Sequence, residues 1–191
     1  DAADENSLHE MCGQSRVIIS TVGPYALYGS GLVKVCVETG TDYVDLTGEA
    51  HWSLRMLLEH GSQDEKSGAR NIQCCGFDSV PSDLGVYHHQ KVALEEFGQP
   101  ATQIRMQVAR MKGAASGGTI ASIVNIAREM TKYPALRQIL ANPVSLVPDG
   151  KARARQLNIT TPTRDPKTGA WLGPFVMAGI NTRIVHRSNA L

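Results

Sequence analysis

The feature that most constrains this chain is a repeated alternation of short apolar runs with helical segments over its first 75 residues. Residues 17–22 form a β-branched run, VIISTV, that ends at Gly23-Pro24, the pattern of a strand buried on both faces. Over residues 31–38, Leu32, Val33, Cys36 and Val37 fall close to one helical stripe, and Gly40 stands where a left-handed cap would end that helix. Residues 43–46 read as the next strand. Leu54, Leu57 and Leu58 mark one face of a helix over residues 52–67, Gly68 terminates it, and residues 69–75 read as a third strand. The order β-α-β-α-β with short connections predicts parallel strands joined by right-handed crossovers.

Parallel sheets of this kind bind ligands outside the carboxyl ends of their strands. All three strands end in sequence rich in Gly and polar residues: 21–25 (TVGPY), 47–49 (TGE) and 76–81 (GFDSVP). The three loops are expected to line one edge and to hold a flat, polar ring, although any strand-to-helix turn also draws on Gly, Pro and Asx residues.

Composition narrows the function classes. With 42% hydrophobic and 19% charged residues the chain is too apolar to be disordered. A formal charge of +1 supplies no global field toward nucleic acid, and the basic run at 151–155 (KARAR) lacks interleaved aromatics, so it reads as a solvated loop face. No apolar run approaches the ~20 residues of a membrane-spanning helix, while peripheral membrane association stays open. Four cysteines, at 12, 36, 74 and 75, show neither zinc-site spacing nor a disulfide framework, which fits reduced thiols in a cytoplasmic setting. Cys74 and Cys75 read as neighbours on a buried strand, facing opposite ways.

No G-x-G-x-x-G phosphate loop occurs. Gly29-Ser-Gly31-Leu-Val-Lys34 has lysine at the third glycine position and reads as an ordinary helix start. A second glycine-rich stretch, residues 112–119, lies between a strand expected over 103–109 and a helix whose Ile120, Ile123, Val124, Ala127 and Met130 form a stripe. It serves either as an anion site at a helix start or as a tight packing turn. The histidines have no metal-ligand spacing, His88 and His89 reading as surface or hydrogen-bonded residues, and no G-x-S-x-G elbow is present.

Taken in order, the motifs Val22-Gly-Pro-Tyr25 followed by Gly29, Asp45-Leu-Thr-Gly-Glu49, and Cys75-Gly-Phe-Asp-Ser-Val-Pro-Ser-Asp-Leu-Gly85 resemble the saccharopine dehydrogenase-like oxidoreductases, relatives of which include trans-acting enoyl reductases. The resemblance continues through Ser116-Gly-Gly-Thr119, Pro174-Phe-Val-Met177 and residues 181–191, and so covers nearly the whole chain. It implies an α/β fold: residues 1–85 as the C-terminal half of a Rossmann-type parallel sheet and residues 86–191 as part of an α+β substrate or dimerisation domain. The chain would match the middle of such a protein, without its first strands and phosphate loop. NADP or NAD is the implied cofactor, and the implied substrate is an unsaturated or carbonyl-containing small molecule or lipid. Exposed sheet edges leave a homodimer open.

The resemblance places Gly23, Pro24, Tyr25, Gly48, Glu49 and Phe77 to Asp78 around the nicotinamide and the substrate entrance; because hydride transfer also calls for a proton donor, Tyr25, Asp78 and Asp83 are the candidate catalytic acids, none of them singled out by the sequence. Structural duties compete for several of them. Glu49 precedes a helix whose dipole favours a carboxylate there. Asp78 or Ser79 could cap the helix that Pro81 helps to start, and Asp83 lies in that helix's first turn. Arg105, Arg110, Arg183 and Arg187 are the cations a polycarboxylate substrate would recruit, since the three loops contain none. The alternative function is a non-catalytic scaffold or membrane-surface protein that keeps the fold, because fold alone does not establish activity.

Overall fold

The computed structural model describes residues 1–77, 79–113, 115–151 and 156–191, with residues 64 and 65 described in backbone alone. Asp4 opens α1 (Glu5–Gly13) by accepting the Asn6 N–H. Then come β1 (Val17–Ser20), a single helical turn α2 (Tyr25–Tyr28), α3 (Ser30–Thr39), β2 (Asp42–Asp45), α4 (Ala50–Ser67), β3 (Asn71–Ile72) and α5 (Val80–Phe97). The remainder comprises α6 (Gly117–Lys132), α7 (Ala135–Ala141), a two-residue hairpin of β4 (Thr163–Arg164) and β5 (Trp171–Leu172), and α8 (Ala178–Ser188). Gly40 (φ +71°) closes α3 in the left-handed conformation expected of it, and Gly68 (φ +76°) follows α4 in the same conformation.

β1, β2 and β3 form a parallel sheet in that order, Ile19 pairing with Val44 and Val44 with Ile72. Paired residues share a face, so Ile18, Ser20, Tyr43 and Asp45 project together. That face is buried under Leu8, Cys12, Val33, Cys36, Trp52 and Met56 from α1, α3 and α4. The opposite face holds Val17, Ile19 and Ile72, all exposed, Ile19 at 73%. The expectation of a strand buried on both faces is therefore corrected for β1, because among the described residues the helices pack on one side only.

Two further strand expectations are corrected. The third strand is two residues long rather than seven: Cys74 takes φ +61°, and its N–H is accepted by the Asp45 side chain instead of a ladder carbonyl. Cys74 is buried and Cys75 exposed. Residues 103–109 are not a strand, since no described strand pairs with them and most are exposed, and an extended segment without a partner has no ladder.

The apolar stripe of α6 also faces outward. Ile120, Ile123 and Val124 are exposed, while Ser122, Asn125 and Glu129 turn inward toward α4 and the loop before it. The α8 helix is tied to the start of α5: Asn181 accepts from Ser79 Oγ and donates to Ser82 Oγ, and Ser188 Oγ donates to Asp83. α5 is continuous through residues 85 and 86.

Candidate active site

The loops after β1, β2 and β3 meet at the carboxyl edge of the sheet, joined by two buried carboxylates. Asp45, at the end of β2, accepts the N–H groups of Thr47 (3.0 Å) and Cys74 (2.9 Å) on Oδ1 and the Tyr43 hydroxyl on Oδ2 (3.0 Å). Its own carbonyl accepts the Cys75 N–H. One side chain thus fixes the second loop against the third. Burial holds its carboxyl above the usual carboxylate range, against the pull of those three hydrogen bonds. Gly76 completes the join: a Cβ there would lie 2.8 Å from the Leu46 Cβ.

Glu49 joins the second loop to the first. Its Oε1 accepts the Tyr25 N–H (2.8 Å) and its Oε2 the Ala26 N–H (3.0 Å), so it serves the free donors at the start of α2. Oε1 also accepts from Ser122 Oγ of α6 (2.8 Å), which draws α6 over the edge. Glu49 is 1% exposed.

Tyr25 is buried against Trp52, with ring centroids 5.4 Å apart, and its hydroxyl donates to the Ser20 carbonyl (3.1 Å). Burial pushes that hydroxyl's pKa up to about 12. The hydroxyl is thus engaged at the end of β1. Gly29 lets the same layer close, because a Cβ there would stand 2.8 Å from the Trp52 ring.

Gly23 lies beneath the Tyr25 ring and Ser122 Oγ, which a Cβ would meet at 3.4 and 3.6 Å. Gly48 is more open, the Met177 methyl standing 3.9 Å from where its Cβ would be. Phe77 projects into solvent at 87% exposure. The structure thus gathers Gly23, Pro24, Tyr25, Gly48 and Glu49 at one edge, with Phe77 at its rim. Asp83 sits apart in the first turn of α5, its carboxyl accepting from Ser188 and raised by burial. Asp78 lies outside the described residues, as do residues 152–155 of the basic run.

The glycine-rich stretch before α6 ends in an ordinary cap: Ser116 Oγ accepts the Thr119 N–H (3.1 Å). Three of the four arginines named above, Arg105, Arg183 and Arg187, are engaged with other partners. Arg105 pairs with Asp165 at 3.4 Å, and Arg183 donates to the carbonyls of Gly179 and Leu140 and to Ser145 Oγ. Arg187 donates to the Leu146 carbonyl. His89 contacts the Gly85 carbonyl on its own helix.

His51, which has no metal-ligand spacing in the sequence, is buried by the fold. It occupies the first turn of α4 and is 7% exposed, with Nε2 3.0 Å from Glu129 Oε2 of α6. Asn125 Nδ2 donates to the other Glu129 oxygen (3.0 Å). His51 and Glu129 are 78 positions apart in the sequence, so only the fold brings them together. A cavity of about 460 Å³ lined by Arg16, Asp42 and Arg70 lies at the opposite, amino ends of the strands, and another of about 520 Å³ runs between α5 and residues 101–106.

No family model matches the sequence, and no solved structure is similar to it at a significant level. Over its whole length the chain is 40% identical to a Mycobacterium tuberculosis protein provisionally named a trans-acting enoyl reductase. It is 37% identical to the trans-acting enoyl reductase of Mycobacterium bovis and 36% identical to that of Mycobacterium leprae. The chain spans about half the length of these relatives, 47% of the first and 48% of the other two.

Proposed function

We propose that this protein is an NADPH- or NADH-dependent oxidoreductase of the saccharopine dehydrogenase-like class that reduces the carbon–carbon double bond of an enoyl-type small-molecule or lipid substrate. The observation that carries the proposal is the carboxyl edge of the sheet, where Asp45 and Glu49 fasten three glycine-bearing loops into one surface. The names of the relatives supply the reaction class.

The edge fits a flat, polar ring. Gly48 bares its backbone beside Met177, and Gly23 is narrowed from above by Tyr25 and Ser122. Gly23, Pro24, Gly48 and Phe77 would line the nicotinamide, Glu49 and Tyr25 setting the shape of that lining through the bonds they already make. Residues 1–85 would form the nicotinamide-facing part and residues 86–191 the substrate part, α5 bridging them. With no G-x-G-x-x-G in these 191 residues, the cofactor phosphates are assigned to none of them. A bound reduced nicotinamide supplies hydride to the β-carbon of the enoyl group. The chain's own contributions are to orient the ring and the double bond, to exclude water under α6, and to deliver a proton to the neighbouring carbon.

The test is a titration of NADPH and NADH against the full-length protein, following energy transfer from tryptophan, together with turnover of a trans-2-enoyl thioester. Saturable binding and enoyl-dependent oxidation of the nicotinamide are expected. Absence of both would favour the scaffold alternative.

A further inference from the structure

A buried polar side chain normally finds a hydrogen-bond partner, and one that does not calls for an explanation. His51 is the prominent exception at this edge. Nδ1 has no hydrogen-bond partner, and Nε2, although 3.0 Å from Glu129 Oε2, is not aligned for a hydrogen bond. The ring lies two residues beyond Glu49, on the first turn of the helix that leaves β2, and so at the edge where ligands of parallel sheets bind.

The surroundings are built rather than incidental. Glu129 is fixed through Asn125, itself only 9% exposed, and Ser122 on the same face of α6 is engaged with Glu49. Glu129 is the one carboxylate at ion-pair distance from His51 among the described residues; Glu49 has both oxygens occupied by other donors. A carboxylate 3.0 Å from one imidazole nitrogen attracts the ring whenever it carries a proton, and the other nitrogen is left for a further partner.

Resting on the reductase reading above, we propose that His51, oriented by Glu129, is the proton-relay residue of the reduction. Hydride from the reduced nicotinamide forms the C–H bond at the β-carbon, and the π pair of the double bond moves onto the carbonyl as an enolate. The proton carried by the His51 imidazolium, directly or through one bridging water, forms the second C–H bond at the α-carbon as the carbonyl is restored. The nicotinamide is oxidised, the double bond is reduced, and the neutral imidazole regains its proton from water.

The experiment uses the full-length protein with a trans-2-enoyl thioester of N-acetylcysteamine and NADPH, comparing wild type with His51→Gln, Glu129→Gln and Glu129→Asp. His51→Gln is expected to lower kcat by roughly 10²- to 10³-fold with KM and NADPH affinity within about twofold. The kcat-pH profile should lose the limb that a titrating imidazole imposes. Glu129→Gln should lower kcat by about tenfold, with partial recovery in Glu129→Asp. A merely structural histidine would weaken NADPH binding and thermal stability without removing that limb, and this result would overturn the proposal. Should His51→Gln fail to fold, an unchanged kcat and pH profile in a folded Glu129→Gln would overturn it as well. Wild type that binds NADPH and turns over while His51→Gln matches it defeats the relay alone, whereas wild type that neither binds nor turns over defeats the reductase reading and the relay with it.

Discussion

Replacing Glu49 should loosen the carboxyl edge more than any other single change at the site. Its carboxylate accepts two backbone N–H groups at the start of α2 and the Ser122 hydroxyl, at 2.8 to 3.0 Å. In Glu49→Ala the hydroxyl can rotate toward another acceptor, but the Tyr25 and Ala26 N–H groups lose theirs. Each buried donor left unmade costs about 1–3 kcal/mol, so two cost about 2–6 kcal/mol, a large share of the ~5–15 kcal/mol that holds a domain folded. Glu49→Gln keeps one acceptor oxygen and should cost about 1–2 kcal/mol. Trp52, fully buried beside Tyr25, makes urea unfolding readable by fluorescence. A loss below about 1 kcal/mol in Glu49→Ala would show that the Tyr25 and Ala26 N–H groups do not depend on this carboxylate, and so would equal losses in the Gln and Ala variants.

How much of this was legible in the sequence varies with the range of the interaction. The ends of α3 and α4 were readable because Gly40 and Gly68 record a local backbone requirement, and the edge was readable because each strand stops in glycine. The third strand was over-extended because its apolar letters do not show that Asp45, 29 residues earlier, captures the Cys74 N–H. Residues 103–109 carry strand-like letters, yet pairing belongs to a partner and not to the segment. The stripe on α6 was visible from its period, but a period does not say which face meets the rest of the molecule, and here Ser122, Asn125 and Glu129 do. His51 offered no signal of its own, since its significance lies in Glu129, which only the packing of α6 supplies.

Further outcomes follow from the same contacts. Gly29→Ala should cost about 1–3 kcal/mol, because the added carbon meets the Trp52 ring at 2.8 Å, while Gly61→Ala in α4, with nothing within 4 Å, should stabilise by roughly 0.5–1 kcal/mol; thermal melts of the two variants against wild type check both signs. Burial raises the Asp45 carboxyl, so its stabilising contribution is full below the unfolded value of about 3.9 and is lost as pH rises through the higher folded value; Asp45→Asn should flatten the stability profile across that window in urea titrations, and an unchanged profile would contradict this. Of the four thiols, Cys12, Cys36 and Cys74 are buried and Cys75 is exposed, so maleimide labelling read by peptide mass spectrometry should modify Cys75 in the native protein and all four of these cysteines after unfolding; native modification of Cys12, Cys36 or Cys74 would contradict the packing.

On the proposed function, the loops after β1, β2 and β3 form the nicotinamide surface. Hydrogen exchange followed by mass spectrometry on the full-length protein, with and without saturating NADPH, tests it most directly. The cofactor is expected to slow exchange in peptides covering residues 21–26, 46–50 and 74–77, with little change in those covering the amino ends of the strands near Arg16 and Arg70. Saturating binding that leaves all three loops unprotected would contradict it.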